Sequence, residues 1–355
     1  MKNEAETPIE DLFRNQVQKD PSVRSAHLLV HAEKAGVHVD LAEGSTGGVP
    51  ANPQQPWYIA SVGKLFTAVL VASLFEQGRL TFDDEIAEFL DDRLLDNLHL
   101  YQGRDCTREI KVRHLLNHTS GLADHFYPLL EKLLEAPEFN STPREIVEWS
   151  KTHLKPHASP GTKFHYSDTN YHLLGLIVEA VTGVPFHQAL REHIFAPVGM
   201  PHSYMHHYSE PMERSQYPMA DFYNGDTRLT SYRGYAAIDY AGGGIVSTSE
   251  DLLAFMKALV AHQIIGQDTF DKMQDWVKYG FGIDYGYGIM KFKTVPILMP
   301  RKFNSWGHAG ATGAFMFYHP GMDAHLIGTF NQFTYERKSI RFMFKVINKL
   351  SGMIR

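Results

Sequence analysis

The residues of this chain that are best suited to chemistry are a serine and a lysine three positions apart. Ser61 and Lys64 stand at the start of an apolar run that reads as a helix over residues 61–77. Residues three apart on a helix share one face. An amine that takes the hydroxyl proton makes serine a nucleophile, and the partial positive charge of a helix N-terminus stabilises the developing alkoxide. This spacing therefore predicts a nucleophilic Ser61 with Lys64 as its partner.

Taken alone, that motif is weak. In a chain of this length about one such pair is expected by chance, and a helix-capping serine beside a solvated lysine would explain it. The remaining stretches have to decide between the two interpretations.

Histidines four apart suggest a metal site, because His114 and His118 have the spacing of zinc ligands on a helix. The glutamate of an H-E-x-x-H helix is absent between them, so a structural helix end is the better interpretation. We expect neither a metal nor an organic cofactor.

Composition limits the class of protein. The 355 residues predict two lobes, and 43% hydrophobic with 21% charged residues is typical of a soluble globular protein. A net charge of −6 without a long basic run argues against nucleic acid as a partner, and no apolar stretch reaches the length of a membrane span.

The N-terminus shows no signal peptide, so we expect a cytoplasmic chain, or a periplasmic or secreted one whose leader was removed. The single Cys106 excludes an internal disulfide. The oligomeric state is not predicted.

The order of elements predicts the fold class. Two strands at 25–42 surround a turn near Gly36, a mostly helical stretch follows, short strands recur over 279–334, and a helix closes the chain at 335–350. This order indicates an α/β (α+β) protein whose antiparallel sheet is built from both chain ends and flanked by helices. We predict a sheet domain of residues 1–80 and 241–355, with a mostly helical domain of residues 81–240 inserted.

Two other motifs are excluded by spacing. Gly242, Gly243 and Gly244 do not follow the G-x-G-x-x-G or P-loop pattern, which favours close backbone packing over nucleotide binding. The G-x-S-x-G elbow of α/β-hydrolases is absent.

Three separated motifs together resemble those of the serine β-lactamase and penicillin-binding-protein superfamily. Ser61 to Lys64 resembles S-x-x-K, Tyr166-Ser167-Asp168 resembles Y-x-N, and His308-Ala309-Gly310 resembles K-T-G in its H-x-G form. The chain is most similar to the class C-like branch of esterases, D-aminopeptidases and DD-carboxypeptidases, over about residues 25–350. Further stretches resemble family hallmarks: 114–122, 160–161, 166–175 and 243–251.

The resemblance implies roles for these residues and a β-lactamase/transpeptidase-like fold. Ser61 would form an acyl-enzyme, with Lys64 and Tyr166 handling its proton; which of the two is the base stays open. The strand at His308, Ala309 and Gly310 would face the substrate. The backbone N–H groups of Ser61 and Ala311 would form the oxyanion hole.

Two departures from the family pattern bear on the substrate. Asp168 replaces an asparagine and can only accept hydrogen bonds when ionised, so it favours a donor or pairs with Lys64. His308 replaces a lysine, which would exchange a fixed cation for one that titrates near neutrality. We also expect Asp124, His125 and the aromatic 222–240 region to line the pocket.

We therefore predict a serine hydrolase that cleaves a small ester or amide, of the esterase or D-amino-acid peptidase type. A β-lactamase or DD-carboxypeptidase is the alternative enzyme. A penicillin-recognising protein with little turnover is the alternative without catalysis. The expected partner is a small ester, a β-lactam or a D-amino-acid peptide.

Overall fold

A nine-stranded antiparallel sheet is the centre of the described chain. The computed structural model describes residues 7–295 and 300–353. Within them the strands of this sheet are β1 (Ser25–Ala32), β2 (Val37–Thr46), β3 (Val49–Pro50), β4 (Val277–Gly280), β5 (Ile283–Tyr285), β6 (Met290–Phe292), β7 (Ser305–Ala309), β8 (Phe315–His319) and β9 (Ala324–Thr329). Their order across the sheet is β4-β5-β6-β7-β8-β9-β1-β2-β3. Since β1 pairs with β9, with Leu29 opposite Ile327, the sheet joins both parts of the chain, and this prediction is confirmed.

Helices cover both faces of the sheet. They are α1 (Thr7–Gln18), α2 (Gly63–Glu76), α3 (Asp92–Leu95), α4 (Val112–Leu116), α5 (Phe126–Glu135), α6 (Pro143–His153), α7 (Asp168–Thr182), α8 (Phe186–Leu190), α9 (Ala196–Val198), α10 (Arg233–Gly243), α11 (Ser249–Val260), α12 (Gln267–Met273) and α13 (Glu336–Ser351). Short strands add a second sheet from Trp57–Tyr58, Ile245–Ser247 and Tyr204–Met205, and two hairpins at Leu100–Asp105 and Tyr223–Arg228.

Alternation along the strands divides the core into two layers. Leu28 and Val30 of β1 pack with α1 and α13, whereas Leu29 between them packs with α2. Successive strand residues point to opposite faces, so a strand covered on both sides is apolar throughout. The predicted turn before β2 is present, and Gly36 has φ 62° there, a conformation that glycine adopts without steric cost.

The central helix α2 is buried on all sides, from Gly63 through Ala72. A helix that is apolar all round belongs inside a protein. It starts slightly later than predicted, because Ala60–Val62 first forms a 3-10 turn. Helix α7 includes Asp168 in its first turn.

The glycine run packs against the turn that carries Ser61. A Cβ on Gly243 would lie 2.6 Å from the backbone carbon of Ala60, and a Cβ on Gly63 would lie 2.9 Å from Gly243 Cα. The predicted close backbone packing of the glycine run is thus confirmed.

The division into domains of residues 1–80 with 241–355, and 81–240, stays a prediction. Parts of it (1–6, 296–299 and 354–355) lie outside the described residues. Among the helices described, none is by itself long and apolar enough to cross a membrane; Asp168–Thr182 and Phe186–Val198, bent by 77°, would pass only as a pair and only by length and composition.

Candidate active site

Ser61 sits in a tight turn against strand β7 of the main sheet. Ala60 before it has φ 48°, in the left-handed region that non-glycine residues rarely adopt. Gly310 approaches so closely that a Cβ there would lie 3.1 Å from Ser61 N and 2.8 Å from Ala60 Cβ. Gly310 therefore lets the strand end approach the serine; it does not line the cavity described below.

Lys64 is fully buried one turn along α2 and meets three acceptors. Its Nζ lies 3.0 Å from Ser61 Oγ and 2.9 Å from the Gly242 carbonyl oxygen, and it forms an ion pair with Asp168. An ammonium has three donors, and each one has a partner here. The structure thus brings Ser61, Lys64 and Asp168 together, and Asp168 pairs with the lysine, which is one of the two outcomes expected for it.

Tyr166 faces Ser61 and Lys64 from the stretch of chain before α7. Its ring centre lies 5.0 Å from Lys64 Nζ. Burial and the charge of Asp168 hold the pKa of the Tyr166 phenol well above 10, and its hydrogen bond with Ser61 only partly offsets them. The phenol is therefore protonated at neutral pH before substrate binds.

His308 is buried and neutral, which corrects the expectation of a cation that titrates near neutrality. Burial, and secondly the positive charge of Lys64, lower the pKa of its imidazole to about 3. Its Nδ1 lies 2.8 Å from the Ala309 carbonyl oxygen, and its Nε2 lies 2.9 Å from the Tyr285 hydroxyl. The position of the family lysine is thus occupied by an uncharged side chain.

These groups surround a cavity of about 240 Å³. The predicted site residues on its wall are Ser61, Asp124, Tyr166, Asp168, His308, Ala309 and Ala311. His125 is not among them, contrary to expectation. It is fully buried, and its ring nitrogens lie 3.0 Å from Thr169 Oγ1 and 2.9 Å from the Ile238 carbonyl oxygen. Those contacts direct the imidazole into the protein interior although Asp124 next to it reaches the cavity.

The cavity wall carries several carboxyl groups. They belong to Asp124, Asp168, Asp239 and Glu336. Burial, and secondly the Asp168 charge, raise the pKa of both Asp124 and Asp239 to about 7. Within residues 7–295 and 300–353, neither of these two forms an ion pair, whereas Asp168 is matched by Lys64. The wall therefore has an excess of acidic groups beside Ser61.

Sequence reasoning expected the 222–240 region at the pocket, and Tyr235 and Asp239 from it do line the cavity, but it did not single out Asp239 and it missed Glu336. Asp239 stands in the otherwise apolar stretch Ala236–Gly244, and its carboxylate accepts a hydrogen bond of 2.8 Å from the Tyr58 hydroxyl. A single acidic residue in such a stretch is a usable signal, since buried carboxylates need partners. Glu336, at the start of α13, gives no such signal.

The histidine pair does not share a helix face. Helix α4 ends at Leu116, and His118 follows in the left-handed region with φ 58°. His114 Nδ1 accepts from the Lys111 N–H at 3.2 Å, whereas His118 Nε2 lies 3.2 Å from Tyr285 Oη. In the part of the chain described, no group of three or more His, Cys, Asp or Glu side chains is arranged to hold a metal ion.

The sheet architecture and the arrangement of Ser61, Lys64 and Tyr166 are typical of the β-lactamase fold. A model of the family described as Beta-lactamase matches residues 19–344, so the chain belongs to that family. A penicillin-binding protein of Bacillus subtilis (strain 168) is 27% identical over 259 residues, covering 67% of this chain and 53% of that relative. The chain spans about half the length of the first curated relatives that it matches.

Solved structures agree on the fold over nearly the whole chain. The D-amino acid amidase from Ochrobactrum anthropi SV3 has a TM-score of 0.74 at 26% identity, covering 98% of each chain. A D-stereospecific amidohydrolase from Streptomyces sp. has a TM-score of 0.77 at 23% identity, covering 94% of this chain and 97% of that one. The similarity to the Streptomyces amidohydrolase concerns the fold alone.

Proposed function

We propose that this chain is a serine amidase or esterase for small substrates that carry a free ammonium group beside the scissile carbonyl. Amides and esters of amino acids, in the D configuration, are the substrate class. The observation that carries the proposal is the excess of carboxyl groups around Ser61, of which Asp124 and Asp239 form no ion pair among the described residues. The likeness to the Ochrobactrum amidase supports the D-amino-acid part.

The reaction would proceed through an acyl-enzyme on Ser61. The serine oxygen attacks the carbonyl carbon while its proton passes into the hydrogen-bonded set of Lys64 and Tyr166. The N–H groups of Ser61 and Ala311, both residues of the cavity wall, would stabilise the tetrahedral oxyanion. The leaving amine or alcohol takes a proton, and water then releases the acid by the reverse sequence.

The substrate ammonium would be held by Asp124 and Asp239. Asp239 is buried and Asp124 is partly buried, so a bound cation stabilises their ionised forms and gains a charge-assisted hydrogen bond. A substrate carboxylate would instead face like charges. The neutral His308 offers it no compensating cation. This electrostatic pattern argues for amine-bearing substrates over β-lactams, which carry a carboxylate.

Matched substrates test this proposal. Hydrolysis of D-phenylalanine p-nitroanilide, its N-acetyl derivative and the L enantiomer would be compared for wild type, Asp124→Asn and Asp239→Asn. Removing one charged contact should lower kcat/KM for the free amine by about tenfold or more and leave the acetylated substrate unaffected. Asp92→Asn, whose carboxylate pairs with Arg108 on the exposed surface, is the control. Equal rates on free and acetylated substrate in wild type would contradict the proposal.

Acylation by β-lactams is the second candidate, favoured by the Beta-lactamase family match and the penicillin-binding relatives. Nitrocefin hydrolysis would indicate a lactamase. A lasting penicillin adduct by intact mass, without turnover of any substrate, would indicate a penicillin-recognising protein.

A further inference from the structure

Three buried polar side chains form a hydrogen-bonded chain behind the cavity wall. His118, Tyr285 and His308 are each at most 1% exposed. Tyr285 Oη lies 3.2 Å from His118 Nε2 and 2.9 Å from His308 Nε2. His308 also lines the cavity, whereas His118 and Tyr285 do not. The chain therefore connects the end of α4, strand β5 and strand β7 to the face that meets the substrate.

The direction of each hydrogen bond follows from groups that can only donate or only accept. His308 Nδ1 lies 2.8 Å from the Ala309 carbonyl oxygen, so Nδ1 carries the hydrogen. A neutral imidazole has one N–H, so Nε2 of His308 accepts from the Tyr285 hydroxyl. At the other end, His118 Nδ1 accepts from the Ser167 backbone N–H at 3.2 Å. His118 Nε2 therefore carries the hydrogen and donates to Tyr285 Oη.

The bonds thus run in one direction, from Ser167 through His118 and Tyr285 to His308. The Asn170 side-chain amide lies 3.1 Å from the same His118 Nδ1 and is consistent with its acceptor role. Each ring nitrogen of both histidines has a partner. If the Tyr285 hydroxyl is removed, His308 Nε2 loses its donor inside the protein, and a buried acceptor without a partner is unfavourable.

We propose that Tyr285 is a positioning residue that holds His308 as its neutral Nδ1–H tautomer and thereby keeps a second cation out of the cavity. This inference rests on the proposed function, because it explains how the cavity stays selective for an ammonium group. Without the Tyr285 hydroxyl, the neutral form of His308 loses the hydrogen bond to its Nε2, which favours a proton or the other tautomer at that nitrogen. Burial and the Lys64 charge still lower the pKa of the imidazole, but any imidazolium that forms repels the substrate amine.

The titratable groups around His308 belong to several elements. Lys64 comes from α2, His118 from the loop after α4, Tyr166 and Asp168 from the start of α7, and Tyr285 from β5. Lys64 opposes protonation of His308, and His118 is itself neutral, because burial and the Lys64 charge hold the pKa of its imidazole well below 6.5. Asp168 is matched by Lys64. The Ala309 carbonyl oxygen keeps the hydrogen on Nδ1, and the Tyr285 hydroxyl is the neighbour that donates to Nε2.

The experiment compares Tyr285→Phe with Tyr287→Phe. Tyr287 is a matched control, since it is also buried and its hydroxyl bonds to Asp275 at 3.3 Å. Ring nitrogens of ¹⁵N-histidine-labelled protein would be followed by NMR from pH 5 to 8, with His308→Gln to assign the signals. We expect wild type and Tyr287→Phe to show an Nδ1–H tautomer of His308 that does not titrate. In Tyr285→Phe, His308 should change tautomer or titrate.

Kinetics give the second readout. In Tyr285→Phe we expect KM for D-phenylalanine p-nitroanilide to rise at least fivefold at pH 6 and to recover at pH 8, with kcat less affected. An Nε2–H or titrating His308 in wild type would overturn the inference even if the variant failed to fold. So would a Tyr285→Phe protein that keeps the wild-type tautomer and KM. Failure of the proposed function is distinguishable, because it shows as equal wild-type rates on free and acetylated substrates and leaves the NMR result unchanged.

Discussion

Lys64 and Asp168 form a buried ion pair directly beside Ser61. The lysine side chain is 0% exposed and the aspartate side chain 6%. An asparagine, as in the family pattern, would leave the lysine charge unmatched by this neighbour. The aspartate matches that charge, so the remaining acidic groups of the cavity are left to act on a ligand.

Removing the carboxylate of this pair should destabilise the protein. Asp168→Ala leaves a buried cation with two neutral acceptors, so we expect the free energy of unfolding to fall by about 3–5 kcal/mol. Asp168→Asn keeps an oxygen acceptor and should lose less. Urea unfolding of both variants at pH 7 checks this, and a wild-type free energy of unfolding in Asp168→Asn would show that the charge contributes nothing.

Gly242 should tolerate no side chain. A Cβ there would lie 2.5 Å from Asp168 Oδ1 and 3.3 Å from Lys64 Nζ. Gly242→Ala must therefore displace the ion pair, and we expect kcat to fall by about 10²-fold, the effect of a small misplacement of catalytic groups. Gly280→Ala is the control, since a Cβ at Gly280 meets nothing within 4 Å. Unchanged kcat in Gly242→Ala would mean that the position of the pair is irrelevant to turnover.

The pH dependence of KM should follow the two raised carboxyl groups. The pKa values of Asp124 and Asp239 are about 7, so both are largely protonated at pH 6 and ionise as the pH rises. KM for an amino-acid amide should therefore fall between pH 6 and 7.5. It should rise again as the substrate amine, with a pKa of about 8, loses its proton. An N-acetylated substrate should show no such minimum, and a minimum shared by both would point to another group.

Asp239 should also lower stability as the pH rises. Its folded pKa of about 7 exceeds the unfolded value of about 3.9. Between these values the folded state binds more protons than the unfolded state, so the free energy of unfolding decreases with pH. Relative to wild type, Asp239→Asn should gain about 1–3 kcal/mol between pH 5 and 7. Denaturant unfolding at the two pH values checks the change, and a constant difference would contradict it.

Local sequence patterns were sufficient to predict those features whose residues lie close together in the sequence. Ser61 and Lys64 lie three apart on one turn, and the β1–β2 hairpin has its glycine turn at Gly36. The sheet built from both chain ends followed from the order of strands and helices. The serine–lysine pair and the hairpin depend on neighbours in sequence, so the sequence displays them directly.

Features that depend on distant neighbours were not predicted. The neutral state of His308 results from burial against Lys64, 244 positions away in the chain. Tyr285 looks like an ordinary core position until the fold brings it behind the cavity wall, beside His308. His125 follows Asp124 immediately, yet its ring turns inward to Thr169 and Ile238. Which side chain of such a pair reaches a cavity is decided by packing.

The most direct test of the mechanism is the fate of Ser61 during turnover of D-phenylalanine methyl ester. Hydrolysis would be measured for wild type and Ser61→Ala, with acid-quenched samples analysed by intact mass and peptide mapping. We predict a phenylalanyl adduct on Ser61 in wild type, no adduct in Ser61→Ala, and a loss of turnover of about 10⁴-fold or more. Equal hydrolysis by the two proteins, or an adduct on another residue, would contradict a Ser61 acyl-enzyme.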